Sequence, residues 1–190
     1  MVDPMKIIET RLPGVVLVEA RVFRDHRGYF LETWNAAGSA AVGLPTQFAQ
    51  DNTSYSTRGV VRGLHYQQPG AQGKLVTVLR GAIRDVAVDI RVGSPDFGHW
   101  VAVDLVAEEG RQIYIPEGFA HGFAVLGDEA VVHYKATAPY APGGEGSVRW
   151  DDPDLGIDWP PVAPILSAKD RDAPRLREIS ADRLPRYPGG

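Results

Sequence analysis

The sequence predicts an all-β domain, a β-sandwich or barrel, on three observations. Short runs of Val, Ile, Leu and aromatic residues recur along the chain, split by Gly, Pro, Asp and Asn. Several alternate with the period of a strand: in "DVAVDI", Val86, Val88 and Ile90 share one face and Asp85, Ala87 and Asp89 the other. Helix signal is scarce.

The candidate strands, in order, are "GVVLVEARVF", "GYFLETW", "VVRGLHY", "KLVTVLR", "AIRDVAVDIR", "HWVAVDLVA", "RQIYIP", "HGFAVL" and "AVVHYKAT". "NAAGSAAVG" predicts one short helix with Asn35 as N-cap, and "SAKDRDAP" a single helical turn. From about Asp151 the chain becomes proline-rich and irregular, through "DDPDLGIDWPPVAP". That part is expected to wrap the barrel, so that residues 1–190 form a single domain. The closing "RLPRYPGG" reads as frayed or packed on a partner. "MVDP", ahead of Met5, reads as a leader or cloning remnant without structural weight.

Composition narrows the function. A chain of 190 residues fits one domain able to bury roughly 70% of the surface its unfolded form exposes. Hydrophobic residues make up 44% and charged residues 23%, an ordinary globular balance. A net charge of −4 provides no basic field for nucleic acid or acidic lipid. The absence of cysteine excludes disulfides, zinc–thiolate sites and thiol catalysis, and suits the cytoplasm. No signal-peptide core and no run of membrane-helix length is present.

The chemistry gathers around "RGLHYQQPGAQGK", where His65 ends one strand-like run and Lys74 opens the next. "YIPEGFAHGF" has the form Pro-x-Gly-x-x-His, with Pro116, Gly118 and His121. It resembles the second motif of the cupin superfamily, which implies a double-stranded β-helix, or jelly roll, with a few short helices. Metal-binding cupins carry His-x-His in their first motif. Here that place reads "HYQ", and Gln67 stands where the second histidine would be. His65 and His121 alone are too few for a stable divalent site, so no metal is expected. His26, His99 and His133 read as structural.

The segments "DHRGYFLETW", "QDNTSYSTRGVVRGLHYQ", "QGKLVTVLRGAIRDVAVDIRVGSPDFGHW", "IPEGFAHGF", "YKATAPYAPGGEGSVRWDDPDLGIDWP" and "LSAKD" together resemble the dTDP-4-dehydrorhamnose 3,5-epimerases, in register from about Met5 to Asp170. The resemblance implies a cofactor-free, homodimeric enzyme acting on a dTDP-4-keto-6-deoxyhexose. It would invert C3 and C5 by removing the protons next to the C4 ketone and returning them from the opposite face. His65 matches the base, whose ordinary pKa suits neutral pH. Asp170 matches its partner; taken alone it reads as a helix cap. Lys74 matches the cation near the C4 oxygen, and Tyr134 the acid on the far face. Arg27, Glu32, Gln50, Asp51 and Asn52 fall at nucleotide-contacting positions. Arg62 falls near the diphosphate, and His121, Glu145 and Lys169 at further substrate contacts. Tyr140 matches the aromatic that stacks on thymine.

Two features depart from a simple reading. Arg62 and His65 are three positions apart, which in a regular strand sets them on opposite faces. Either Gly63 permits a bulge, or Arg62 reaches the diphosphate from a partner chain or around an edge. In "APYAPGGEG", Pro139 and the pair Gly143–Gly144 stand where bulkier or charged residues are expected. Three other functions remain open: a mono-epimerase for another deoxysugar, a non-catalytic sugar-nucleotide-binding cupin, and a metal-dependent cupin oxygenase or isomerase. The segment "KIIETRLPGVVLVE" is a candidate to cross to a second copy.

Overall fold

The computed structural model describes residues 5–161 and 163–188. "MVDP" lies outside them. The strands are β1 Lys6–Glu9, β2 Val16–Glu19, β3 Val22–Asp25, β4 Gly28–Leu31, β5 Gln50–Thr57, β6 Val61–Gln67, β7 Lys74–Asp89, β8 Trp100–Val106, β9 Arg111–Ile115, β10 Phe119–Ala136 and β11 Glu145–Ser147. Two short helices, α1 Ala36–Ala41 and α2 Ala168–Arg171, fall where the sequence places them. The Asn35 side chain accepts from the Gly38 amide, and Ser167 caps α2 by accepting from the Asp170 amide.

The architecture is a jelly roll built on two long bent strands. "KLVTVLR" and "AIRDVAVDIR" are one strand, β7, and "HGFAVL" and "AVVHYKAT" are one strand, β10. Gly81 lets β7 bend: its φ is +76°, and a Cβ there would lie 2.0 Å from the Glu129 carbonyl oxygen. One half of each strand belongs to a sheet ordered β1-β2-β9-β7-β10-β5. The other half belongs to a sheet ordered β8-β7-β10-β6-β11. β3 and β4 form a separate hairpin.

Two apolar layers hold this frame. Between the sheets pack Val76, Val78, Ile113 and Val132 from one side and Ile83, Ala87, Phe119 and Phe123 from the other. The outer face of the second sheet presents Leu64, Val86, Val88, Ile90 and Val148. It is covered by Leu155, Ile157, Trp159, Leu176 and Leu184 from the C-terminal part of the chain. Both faces of "DVAVDI" are therefore buried, and its acids are paired inside: Asp85 with His121, Asp89 with Arg91 and Ser94. The C-terminal segment is docked on its own chain and not frayed. Leu184 is buried, Pro185 accepts from the Val92 amide, and the Tyr187 amide donates back to Val92. Gly189 and Gly190 lie outside the described residues. "KIIETRLPGVVLVE" also sits in its own sheet, with β1 on β2.

"QDNTSYST" forms a strand that hydrophobic patterning does not reveal. β5 is an edge strand paired only with β10, and the side it turns inward is polar. Gln50, Asn52 and Ser54 turn inward while Asp51 and Thr53 turn out.

β6 is irregular where the sequence allows it. His65 lies opposite His121 and Arg62 opposite Phe123, with a register shift between. His121 and Phe123 share a face, so Arg62 and His65 do too. The bulge at Gly63 sets both on one face of β6. Gly63 has φ +112°, and a Cβ on it would lie 2.6 Å from the Gly122 Cα. Replacing Gly63 by Ala is expected to lower the unfolding free energy by about 3 kcal/mol or more, through overpacking and a backbone conformation that Ala resists. Urea denaturation measures this, and an unchanged midpoint would contradict it.

Candidate active site

At one end of the sandwich the two sheets enclose a cavity of about 260 Å3. His65, Lys74, Tyr134, Gln50, Asn52, Tyr140 and Glu145 line it, all singled out in the sequence. Tyr66, Gln67 and Gln72 complete the wall, and sequence reasoning missed them. Gln67 had a readable signal: it lies two positions after His65 on the same strand, at the place of the missing histidine.

His65 is half-buried, and its Nε2 lies 2.5 Å from Asp170 Oδ1. Asp170 comes from α2 and is almost wholly buried. Burial pushes its carboxyl up, but hydrogen bonds from His65, Ser167 and the Gly63 amide outweigh this and hold it below the ordinary carboxylate range. A carboxylate so anchored fixes the imidazole's orientation. It leaves Nδ1 as the ring nitrogen able to take a proton in the cavity.

Lys74 opens β7 and is buried. Burial lowers its pKa to about 8, against the opposing pull of Asp85 and Glu145 and with a further push from Lys169. Tyr134 stands on β10 between Val76 and Asn52 of the flanking strands. Burial raises its pKa, partly countered by nearby Arg62, so the phenol keeps its proton at neutral pH. Arg62 spans the gap between β6 and β5, donating from Nε to Ser56 Oγ at 2.9 Å and from Nη2 to the Tyr55 carbonyl at 3.0 Å.

The remaining residues divide. Tyr140 is 51% exposed and donates its hydroxyl to Glu145 Oε2 at 3.1 Å. Glu145 Oε1 pairs with Lys169 Nζ at 2.5 Å, and that ammonium holds the carboxyl below its usual range. His121 lies behind His65, across the strand pair, with its Nε2 2.8 Å from the fully buried Asp85. Asp85 Oδ1 has no hydrogen-bond partner among the described residues. Arg62 is exposed and does not line the cavity, and three further residues stand away from it. Asp51 faces outward onto Lys135, because it alternates with Gln50 and Asn52 on β5. Arg27 is exposed in the β3–β4 turn on Asp25, and Glu32 bonds Asn35 beside α1.

The departures around Tyr140 have local causes. A Cβ on Gly144 would lie 2.4 Å from the Pro69 carbonyl oxygen, so this close crossing requires glycine. Gly143 faces open space. Pro139 brings no amide to satisfy, and its carbonyl accepts from Gln67. A roomier cleft of about 590 Å3 is lined by Arg24, Arg80, Glu108 and Glu129. Those charges pair with one another, Arg24 with Glu108 and Arg80 with Glu129, and no histidine or lysine joins them.

A jelly roll that turns an Asp-anchored imidazole, a buried ammonium and a buried phenol into one cavity defines a cupin-type enzyme suited to moving protons beside a carbonyl. The sequence model of the dTDP-4-dehydrorhamnose 3,5-epimerase family matches residues 9–178. The dTDP-4-dehydrorhamnose 3,5-epimerase of Pseudomonas aeruginosa is 54% identical over 183 residues, spanning 95% of this chain and 100% of that protein. The crystal structure of dTDP-6-deoxy-D-glucose-3,5-epimerase from Legionella pneumophila Philadelphia 1, in complex with dTDP-4-keto-L-rhamnose, superposes with a TM-score of 0.92 at 48% identity, covering 96% of this chain and 98% of that one. A dTDP-4-dehydrorhamnose 3-epimerase of Streptomyces niveus is 42% identical over 186 residues, 96% of this chain and 90% of that protein. The chain belongs to the dTDP-4-dehydrorhamnose 3,5-epimerase family.

Lys74 should carry a measurable stability cost. Its folded pKa of about 8 lies below the unfolded 10.5. Between these values the unfolded chain binds more protons, so this contribution to stability rises with pH. The cost is full below pH 8 and gone above the unfolded value. Lys74→Met is therefore expected to raise the unfolding free energy at pH 7 by on the order of 3 kcal/mol, with the gain shrinking toward pH 10. Denaturation across that range checks it.

Proposed function

We propose that this protein inverts C3 and C5 of dTDP-4-keto-6-deoxy-D-glucose, giving dTDP-4-keto-L-rhamnose. The observation that carries the reading is the His65–Asp170 pair in one cavity with Lys74 and Tyr134. His65 Nδ1 takes the proton from the carbon next to the C4 ketone. The electron pair moves onto the C4 oxygen as an enolate, which the Lys74 ammonium stabilises. The Tyr134 hydroxyl donates a proton to the opposite face of the same carbon, and the phenolate and the imidazolium return to their resting forms by exchange with water. A second pass inverts the other centre. This chemistry transfers only protons and draws on no redox cofactor or metal.

The exposed Phe23, Tyr29 and Phe30 on the β3–β4 hairpin support a homodimer. In it, Arg27 and Glu32 reach the nucleotide in the partner's cavity, and the apolar hairpin packs on the second copy. The whole chain acts as one catalytic domain. A cytoplasmic setting follows from a nucleotide-sugar substrate, and among the described residues no helix is long and apolar enough to cross a membrane. The Streptomyces niveus 3-epimerase supports a second reading, inversion at one carbon only.

Proton NMR in D2O with dTDP-4-keto-6-deoxy-D-glucose and EDTA tests the proposal. Deuterium is expected at both C3 and C5, with the rate cut about 10²- to 10⁴-fold in His65→Ala. Deuterium at one carbon would select the mono-epimerase, and no exchange with tight nucleotide binding a non-catalytic cupin. Abolition by EDTA would select a metal enzyme. Tyr134→Phe should slow net inversion, and intact inversion would overturn its role as acid. The catalytic form of Lys74 is the protonated one, so kcat/KM is expected to fall as pH rises through about 8. A profile flat to well above that pH would contradict the role of Lys74.

A further inference from the structure

We infer that Gln67 is a positioning residue for the nucleotide: with Gln50 and Gln72 it grips the backbone of residues 138–141 and so fixes the Tyr140 ring. This rests on the reading of Tyr140 as the surface on which the nucleobase stacks.

Residues 137–141 belong to no helix or strand. Tyr140 is half exposed, so packing alone does not hold it. Its surroundings are instead held by three glutamine side chains from three parts of the fold. Gln72 Nε2 donates to the Ala138 carbonyl at 2.9 Å. Gln67 Nε2 donates to the Pro139 carbonyl at 3.1 Å. Gln50 Oε1 accepts from the Tyr140 amide at 2.7 Å, and Gln67 Oε1 from the Ala141 amide at 2.7 Å. Four consecutive residues thus have a backbone group taken by a neutral amide.

Gln67 holds both flanks of Tyr140 at once. Only an amide side chain offers two donor hydrogens and a carbonyl acceptor together; a lysine or arginine only donates and a carboxylate only accepts. Gln67 is buried, and Nε2 also donates to the Gly70 carbonyl, which ties the grip to the turn after β6. The Gln68 amide, donating to Gly144 O at 2.7 Å, closes the far end of the loop. Because Gln67 shares a strand and a face with His65, the stacking surface is built at a set distance from the base. The position that carries a metal-ligating histidine in other cupins serves here to hold a loop.

Calorimetry with dTDP and steady-state kinetics with the keto sugar test this. Gln67→Ala is expected to weaken dTDP binding on the order of 10- to 100-fold and to raise KM alike, with the loss falling on KM and not on kcat. Gln72→Ala, which removes one bond at the loop's edge, should show a smaller change of the same kind. In a Tyr140→Ala background, Gln67→Ala should have little further effect on dTDP affinity, because it acts through that ring. The inference is overturned if Gln67→Ala and Gln72→Ala bind dTDP as the unaltered protein does. It is equally overturned if the Gln67→Ala penalty persists undiminished without Tyr140. Failure of the unaltered protein to bind dTDP would instead remove the functional reading beneath it.

Discussion

The architecture of the site depends on one close crossing, where Gly63 of β6 meets Gly122 of β10. A Cβ on either glycine would fall 2.6 Å from the other strand's backbone. Because neither has one, the strands touch, the register slips, and two residues three positions apart come to the same face of β6. One is the candidate base. The other, Arg62, bridges to β5 and lies near the Tyr134 phenol. The same bulge turns the Gly63 amide onto Asp170, so the local distortion of β6 also seats the carboxylate that orients His65. A regular β6 would set the pair on opposite faces and leave Asp170 with a donor fewer.

Burial arranges the charges on this scaffold. Asp170 arrives from α2 only because the C-terminal part of the chain packs Leu176 and Leu184 against the outer sheet face. The irregular wrap thus helps to build the candidate site and is not merely a cover. Lys74 pays for its burial with a lowered pKa, tempered by Asp85, which is itself shared with His121. Imidazole, ammonium and phenol have ordinary pKa values spread over several units. The fold moves Lys74 down and Tyr134 up, so the cation is closer to neutrality and the acid further from ionisation than in water.

Much of this was legible in the sequence, for reasons that can be named. Strands with apolar alternation, such as the β7 segment "DVAVDI", announced themselves because burial follows the strand period. The first helical turn was legible from Asn35, whose side chain caps it, and the second from "SAKDRDAP", where Ser167 and not Asp170 proves to be the cap. β5 was not, because its inward face is the polar wall of a cavity and resembles a loop. The continuity of β7 and β10 was hidden by Gly81 and by the glycine and acids near Gly127, which read as breaks. Motif resemblance reached His65, Lys74, Tyr134, Gln50, Asn52, Tyr140 and Glu145, all in the cavity wall. It could not show that Asp51 points away, since that requires the strand's facing, nor that Arg27 and Glu32 stand off from this chain's own pocket. Asp85 touches His121 and tempers Lys74 from behind the cavity wall, and such a placement leaves no signature in spacing.

The central claim is that His65 presents an unprotonated Nδ1 to the cavity while Nε2–H is held by Asp170. A long-range proton–nitrogen NMR spectrum of the His65 ring, at a pH where it is neutral, tests this most directly. The proton is predicted on Nε2, with Nδ1 bare, and the assignment should shift when Asp170→Asn replaces the carboxylate. A neutral ring carrying its proton on Nδ1 would leave no base facing the substrate and would contradict the account.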